Sequence, residues 1–392
     1  MMQGLTNHEV RPGAMNKIDA QVPAAAGALA HPGETARLAI DLTALARNWR
    51  RLCERLGPAE CSAVVKADAY GLGLEPVMHA LLGAGCRTFF VATAAEGVRA
   101  RAVSRDALIY VLDGAPPGAA PLLIEAELRP VLNSLADIAE WAEAAPGKRA
   151  AIHIDTGMNR LGVAPTEVAA AAELAKRISL ELAMSHFVSS QEPSNPRNDR
   201  QIAQFALARA NLPEMPASMA NSAGIYLPQK PIFDLVRPGY ALYGGNPTPG
   251  KTNPMLPVVR LEARILTLRE IAPGESVGYD ATWTAERPTR LGTLGLGYAD
   301  GFPVGASSGK DRPPAEAIVA GFRCPVVGRV SMDAVVLDLT DMPVGLARRG
   351  DFVEMLGDTI GVDALAERAG TIGYEILTRL GQRYSRRYVG GA

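Results

Sequence analysis

The sequence is poor in cysteine and contains no long apolar run. Only four cysteines occur in 392 residues, and they show neither C-x-x-C spacing nor a Cys/His cluster of the zinc-binding type. This pattern argues against a disulfide framework and predicts a protein of a reducing, cytoplasmic compartment without a metal site. No apolar segment reaches the roughly 18–20 residues of a membrane helix, so we expect no membrane association.

The chain also lacks an excess of charge of either sign. Its 40 Lys and Arg residues balance 41 Asp and Glu residues, for a formal net charge of −1. The one basic cluster, RYSRRY near the C-terminus, is too short to indicate a nucleic-acid surface. The composition therefore favours a small molecule as the binding partner.

The first 35 residues differ from the rest of the chain. The segment QVPAAAGALAHPG contains A-x-A pairs of the kind that precede a signal-peptidase site. Its apolar part is almost all alanine, however, and charges of both signs precede it, at Glu9, Arg11, Lys17 and Asp19. A secretory signal has a longer and more strongly apolar run. We therefore expect residues 1–35 to be a flexible leader.

From Ala36 onward, short apolar runs such as RTFFVAT, ALIYVLD and AAIHID alternate with amphipathic stretches such as PTEVAAAAELAKRI. Near-continuous apolar strands separated by helices are typical of a parallel sheet that is buried on both faces. Eight such units in about 200 residues favour a (β/α)8 barrel over residues 36–250. A doubly wound sheet has the same local pattern and is the alternative.

The pattern changes after NPTPGKTNPMLP, a Pro/Gly/Asn-rich segment at 246–257 that is typical of a domain linker. Strand-like runs such as VVRLEARILTL and DAVVLDLT follow, separated by short turns instead of helices. This arrangement predicts a mainly antiparallel β domain over residues 251–392, with a final helical segment, VDALAERAGTIGYEILTRLGQRY.

Lys66 ends a strand-like run, in the segment AVVKADAYGLG. Burying an uncompensated ammonium is costly, so a lysine in this position is usually paired, turned toward water or reactive. A desolvated lysine at the carboxyl edge of a barrel can lose its proton and attack a carbonyl group. Tyr70 and two glycines follow within seven residues and could approach an anion.

Further polar residues follow other predicted strands. Arg237 and Gly239 lie in DLVRPGY, where Asp234 could pair with the arginine, and Ser222 ends the preceding strand. Arg160 follows a strand through a glycine-containing loop, in HIDTGMNRLG, which suits a substrate carboxylate. A lone histidine at a strand end, such as the one in AMSHF, is more often a structural group.

The ordered motifs VVKADAYGLG, DTGMNRLG, MANSAG, VRPGYALYG, VGYDATW, GYADG, GRVSMD and IGYE closely resemble those of the alanine racemase family. The resemblance runs from about Ala36 to Tyr384. It implies a pyridoxal 5'-phosphate (PLP)-dependent isomerase with an N-terminal barrel and a C-terminal β domain. It further implies a homodimer with composite active sites that interconverts L-alanine and D-alanine, for peptidoglycan synthesis or for catabolism.

The resemblance also assigns roles by position. Lys66 matches the lysine that holds PLP and acts as one of two acid/base groups. Tyr279, delivered by the other subunit, matches the second, and Arg237 matches the arginine that faces the pyridine nitrogen. The positions that hold the phosphate group are matched by Tyr70, Ser222, Gly239, Tyr240 and Tyr374.

Four more positions complete the match. Arg160 and the backbone of Met332 correspond to the groups that hold the substrate carboxylate and support the tyrosine. His186 corresponds to a histidine that links the tyrosine base to the arginine, and Tyr298 to a residue of the substrate entrance. A tyrosine is a poor base at its usual pKa of about 10, so such help is needed.

One residue departs from the family pattern. Many members carry a carbamate-forming lysine where this chain has His153, so the orientation of Arg160 and the substrate range are open. A racemase with broader specificity, or one for serine, is therefore an alternative. A non-catalytic PLP carrier shares the barrel but lacks the β domain, and the acidic-cysteine motif of a related decarboxylase is absent.

Overall fold

The computed structural model describes residues 33–309 and 312–391. Of the predicted leader, only residues 33–35 fall within this range, and the rest lies outside the described residues. No helix in the described part of the chain is long and apolar enough to cross a membrane.

Short parallel strands form the first half of the molecule. They pair side by side in sequence order from Ala63–Val64 to Leu235–Val236. The strands between these two are Thr88–Val91, Leu108–Val111, Arg129–Leu132, Arg149–His153, Ser179–Met184 and Ala217–Ser218. Most of their residues are buried, as expected for a sheet that is covered on both faces.

The first strand closes the sheet into a barrel, because its two halves pair on opposite sides. Glu60–Cys61 pairs with Leu235–Val236, whereas Ala63–Val64 pairs with Thr88–Val91. Between the halves, the Ser62 N–H donates to the Val236 carbonyl at 3.1 Å. Counted this way the barrel has eight strands, which confirms the predicted (β/α)8 architecture and eliminates the doubly wound alternative.

Helices follow most of the barrel strands and cover the outside. The helix Ala94–Val103 begins with a capping box, in which Thr93 and Glu96 satisfy each other's backbone N–H groups. Asp41 caps the helix that precedes the barrel by accepting from the Ala44 N–H at 2.8 Å. The outer helices are Leu42–Cys53, Leu74–Ala84, Ala94–Val103, Ala120–Glu125, Leu135–Ala144, Val168–Leu174 and Arg197–Arg209.

The second half is a mainly antiparallel sheet, as predicted. The long strand Val259–Ile271 is its centre and pairs with Ala36–Asp41, Thr289–Leu294 and Phe352–Leu356. The remaining strands of the region are Ser276–Val277, Trp283–Thr284, Glu316–Val319, Phe322–Pro325, Val335–Asp338 and Ser385–Val389. The predicted C-terminal helix is two helices, Val362–Ala369 and Gly373–Thr378, because Gly370 adopts φ +66° and ends the first.

The strand Ala36–Asp41 belongs to this second sheet, although the sequence analysis grouped it with the barrel. It lies between Val259–Ile271 and Ser385–Val389, antiparallel to one and parallel to the other. Its residues are alternately buried and half-buried, whereas the barrel strands are buried almost throughout. The division of the chain at residue 250 stays a prediction, and this strand crosses it.

The backbone after Lys66 makes a left-handed turn. Ala67, Asp68, Ala69 and Tyr70 all have φ between 53° and 56°. For residues other than glycine, each such conformation costs about 1 kcal/mol or more. Gly71 continues the positive φ at 80° and closes the turn by donating to the Ala67 carbonyl at 2.7 Å.

Contacts from two other parts of the chain, the helix Ala94–Val103 and the strand Ser385–Val389, hold this turn. Glu96 accepts from the Ala67 N–H at 2.7 Å, and Arg99 pairs with Asp68 at 2.7 Å. From the last strand, Arg386 donates to the Gly71 carbonyl at 2.8 Å and Tyr388 donates to the Leu72 carbonyl at 2.9 Å. The turn therefore depends on the barrel and on the β domain together.

Glycine and valine at position 67 should have opposite effects on stability. Ala67→Gly removes the steric cost of positive φ and should raise the free energy of unfolding by up to about 1 kcal/mol. Ala67→Val should lower it by about 1–2 kcal/mol, because a β-branched side chain is strained there. Urea unfolding of the full chain measures both.

The matched control is Ala102, an exposed alanine in the helix Ala94–Val103. There, Ala102→Gly should lower the free energy of unfolding by up to about 1 kcal/mol, because glycine is a weaker helix former than alanine. Equal destabilisation by glycine at positions 67 and 102 would contradict the left-handed turn.

Candidate active site

A cavity of about 730 Å³ lies at the carboxyl ends of the barrel strands. The helix Gly373–Thr378 of the β domain also contributes to its wall. Nine of the twelve residues that the resemblance assigned to the site line it, as does His153; the nine are Lys66, Tyr70, Arg160, His186, Ser222, Arg237, Gly239, Tyr240 and Tyr374. The barrel brings them together because the carboxyl ends of parallel strands meet at one rim.

Lys66 stands in the wall of this cavity, two residues beyond the strand Ala63–Val64. Burial lowers the pKa of its ammonium below the usual value, and the nearby cations Arg160 and Arg237 act in the same direction. Asp113 and Glu96 oppose this shift without cancelling it. Lys66 is thus closer to its neutral, nucleophilic form than an exposed lysine would be.

Arg237 is 4% exposed and is held by hydrogen bonds to neutral groups. Its guanidinium donates to Ser218 Oγ and to the Ser185 carbonyl, each at 2.5 Å. Asp234, which the sequence suggested as its partner, instead accepts from the Ala217 N–H at 2.8 Å. Burial lowers the pKa of Arg237 to about 9, with no opposing carboxylate in the described structure.

The two histidines of the cavity are held in their neutral forms. His186 Nδ1 lies 3.4 Å from Arg237 Nη2 and can accept from it. Burial lowers the pKa of His186 well below its usual range, and Arg237 lowers it further. Burial likewise lowers the pKa of His153 to about 4, again with a contribution from Arg237.

Asn133 fixes the tautomer of His153. The Asn133 amide donates to the carbonyls of Val131 at 2.7 Å and Leu112 at 3.1 Å, so its oxygen is left to accept. That oxygen lies 2.9 Å from His153 Nδ1, which must therefore carry the proton. Asn133 was not among the predicted site residues, although its place directly after the strand Arg129–Leu132 was an available signal.

The loop after the last barrel strand forms a concave group of hydrogen-bond donors. The backbone N–H groups of Gly239 and Ala241 both point at Ser222 Oγ, at 3.1 Å each. Position 239 must be glycine, because a Cβ there would lie 2.3 Å from the Tyr70 hydroxyl oxygen. Adjacent backbone N–H groups and hydroxyls of this kind are a ready site for an anion.

Three tyrosines pack around this loop. The rings of Tyr240 and Tyr374 stack with centroids 4.1 Å apart, and Tyr70 lies 6.0 Å from Tyr374. The Tyr240 hydroxyl donates to Asp363 at 2.7 Å, a residue that the sequence analysis did not single out. The hydroxyls of Tyr70 and Tyr374 have no recorded partner among the described residues. Burial raises the pKa of Tyr374 to about 12 and that of Tyr70 further, so both can only donate or accept as neutral groups.

Arg160 is an exposed cation on the cavity wall. It lies in the loop after the strand Arg149–His153, where Asp155 accepts three backbone N–H bonds and fixes the turn. No ion pair or hydrogen bond of the Arg160 side chain is recorded in the described part of the chain. The guanidinium is therefore available to a carboxylate from outside.

The other three predicted residues lie outside the cavity. Tyr279, Met332 and Tyr298 are 70%, 52% and 45% exposed, respectively. All three belong to connected turns of the β domain, since the Tyr298 N–H donates to Ser331 and Asp280 pairs with Arg329. Within one chain the structure does not bring them to Lys66.

Comparison with known proteins places both halves of the chain in one family. Residues 40–247 match the family model described as "Alanine racemase, N-terminal domain", and residues 258–388 match "Alanine racemase, C-terminal domain". The "Alanine racemase" of Methylobacterium nodulans is 56% identical over 91% of this chain and 97% of its own length. An "Alanine racemase, catabolic" of Mesorhizobium japonicum is 47% identical over 94% and 95%.

Solved structures agree with the sequence relatives. The alanine racemase of Bartonella henselae, described as having covalently bound pyridoxal phosphate, has a TM-score of 0.85 at 37% identity and covers 91% of this chain and 99% of its own. The biosynthetic alanine racemase of Pseudomonas aeruginosa also has a TM-score of 0.85, at 34% identity, covering 91% and 100%.

Because His153 is buried in its neutral form, the free energy of unfolding should depend on pH. Its folded pKa of about 4 lies below the unfolded value of about 6.5, so the unfolded chain binds the proton first. This histidine should therefore cost stability as the pH falls from about 6.5 to 4, by about 2 kcal/mol between pH 7 and pH 5. Urea unfolding of the wild type and of His153→Gln measures the difference.

The variant should lose less stability than the wild type between pH 7 and pH 5. Between pH 7 and pH 8 the two should change equally, because His153 is neutral throughout, and this interval is the control. An identical loss at pH 5 would show that His153 is protonated in the folded protein.

Proposed function

The chain belongs to the alanine racemase family, and we propose that it interconverts L-alanine and D-alanine by a two-base reaction. The family depends on PLP. The observation that carries the proposal is that three features share one cavity. They are Lys66 with its lowered pKa, the hydrogen-bond donors around Gly239 that suit a phosphate group, and Arg160, which has no partner among the described residues.

The residues present fit the cofactor. The Ser222 hydroxyl, the Gly239 and Tyr240 backbone and the hydroxyls of Tyr70 and Tyr374, which have no partner among the described residues, would hold a phosphate group. Lys66 would hold the aldehyde end and Arg237 would face the ring nitrogen. When bound, PLP supplies an electron sink that makes the α-proton of an amino acid removable.

Arg237 suits a racemase because of how it is held. Its charge is buried without a carboxylate partner in the described part of the chain, and it remains protonated near neutral pH. A donor of this kind does not pass a proton to a ring nitrogen readily, so it favours prompt return of the α-proton over longer-lived charge delocalisation. His186 and Ser218 keep the guanidinium in place.

Racemisation needs a proton donor or acceptor on each face of the substrate. Lys66 occupies one face, and we propose that Tyr279 of a second copy occupies the other. The support is the exposure of the chain's own Tyr279, at 70%, beside Tyr298 and Met332 on one side of the β domain. A head-to-tail homodimer would place this exposed group over the partner's open cavity.

Arg160 is proposed to bind the carboxylate of alanine. It has no partner of its own in the described chain, and the neutral His153 beside it adds no charge. The substrate carboxylate therefore provides the counter-ion that this guanidinium lacks. The complete β domain, which a carrier of PLP would not need, argues against the non-catalytic alternative.

If each active site combines residues of two subunits, two inactive variants should regain racemase activity when their subunits are mixed. Lys66→Ala and Tyr279→Phe should each lower kcat by about 10²–10⁴-fold or more, because each removes one acid/base group. After mixing with random subunit exchange, half of the dimers are mixed and have one intact site. Racemisation measured by D-alanine production should then recover to about one quarter of wild type.

The control is Tyr226→Phe, which removes the same oxygen from a tyrosine that does not line the cavity and should leave kcat unchanged. If the Tyr279→Phe protein racemised alanine at the wild-type rate, the two-base assignment would be wrong. Loss of activity in both variants without recovery on verified subunit exchange would contradict the composite site.

A second function, a racemase of broader specificity, is favoured by one observation: Arg160 has no fixed partner in the described structure. We expect alanine still to be preferred, with kcat/KM at least about tenfold above that for serine, lysine or arginine, because binding differences of one small group are of this size. Comparable kcat/KM values for alanine and serine would establish the broader activity instead.

A further inference from the structure

A second cavity, of about 390 Å³, lies at the opposite end of the barrel. It is formed where the strands Leu108–Val111, Arg129–Leu132 and Arg149–His153 begin, so it is separated from the cavity of Lys66 by the length of these strands. None of the residues assigned to catalysis or to PLP binding lines it.

The lining of this second cavity carries more positive than negative charge. Five basic side chains face two acidic ones, Asp106 and Glu127. The basic residues are Arg101, Arg105, Arg129, Lys148 and Arg149.

Three of these cations already have hydrogen-bond or ion-pair partners, but these partners do not cancel their charge. Arg101 donates only to backbone carbonyls, including those of Ser104 and Ala107. Burial lowers the pKa of Arg101 and Arg129 lowers it further, whereas Glu127 and Asp106 oppose the shift. Arg129 and Arg149 share the single carboxylate of Glu181, at 2.7 and 2.9 Å. Even with Glu181 included, five cations face three carboxylates, so a surplus of positive charge remains around the cavity.

The two other cations are available. The side chains of Arg105 and Lys148 are exposed, and neither has a recorded hydrogen bond or ion pair within the described residues. Both line the cavity. They could thus reach an anion without breaking an existing contact, and guanidinium and ammonium groups together suit an oxyanion.

The rest of the lining is apolar and includes one unusual donor. Leu123, Leu128 and Trp141 contribute, and Trp141 is 1% exposed. Its indole nitrogen is buried and has no hydrogen-bond partner among the described residues. Buried polar groups are nearly always paired, so an unpaired donor beside a cationic cavity is a second indication of a missing acceptor.

We propose that this cavity binds a small organic anion, with an oxyanion group held by Arg105 and Lys148, an acceptor oxygen for the Trp141 indole N–H and an apolar body against the leucines. Such mixed apolar and charged concave surfaces are typical of small-molecule sites. The proposal concerns binding alone and is independent of the racemase reaction.

Phenyl phosphate is a suitable probe, titrated calorimetrically into the PLP-loaded protein so that the phosphate donors of the active site are occupied. Wild type should show saturable binding. The variant Arg105→Ala/Lys148→Ala should bind at least about tenfold more weakly, because two charge-assisted contacts are lost. The matched control, Arg47→Ala/Lys251→Ala, removes two exposed cations far from the cavity and should bind as wild type does.

Tryptophan fluorescence provides an independent readout. Phenyl phosphate should change the emission of wild type, and the change should disappear in Trp141→Phe while the other two tryptophans remain. Inorganic phosphate should bind more weakly than phenyl phosphate, and equal affinity would disprove a role for the apolar surface. No saturable binding to wild type, or equal affinity in the Arg105/Lys148 variant and its control, would overturn the proposal.

Discussion

The left-handed turn Ala67–Tyr70 raises the energy of the backbone directly beside Lys66, the proposed catalytic lysine. The turn directs both ends of a five-residue segment at one cavity, so that Lys66 and Tyr70 line the same wall. Glu96 and Arg99 of the barrel hold it from one side, and Arg386 and Tyr388 from the other. The position of the lysine is therefore a property of the two halves of the protein together.

The active-site cavity collects positive charge and keeps nearby bases neutral. Lys66, Arg160 and Arg237 face the same space, and their mutual repulsion together with burial disfavours a further proton on His153 or His186. Such a cavity is complementary to a ligand with a phosphate group and to a substrate with a carboxylate. The cofactor and the amino acid would thus bring negative charge to a cavity in which these three cations face two lining carboxylates.

The apolar runs predicted the β domain and left a barrel or a doubly wound sheet for the first half, and the family resemblance then implied the barrel and nine of the residues that line the cavity. The sequence did not predict the roles of Asn133 and Asp363 or the hydrogen-bond partner of Asp234, because these depend on hydrogen bonds between distant segments. The sequence indicated only part of the placement of the strand Ala36–Asp41. Its alternation of buried and half-buried residues differs from the pattern of the barrel strands, but such alternation does not identify the strand with which it pairs.

The pairing of the strand Ala36–Asp41 limits how early the protein can fold during its synthesis. This strand lies between Val259–Ile271 and Ser385–Val389, so its two neighbours are made more than 200 and more than 340 residues later. Contacts between segments so far apart form late, because a long loop must close first. The last strand also supplies the donors from Arg386 and Tyr388 to the lysine turn. A nascent chain can therefore complete that turn only after its C-terminal residues have left the ribosome.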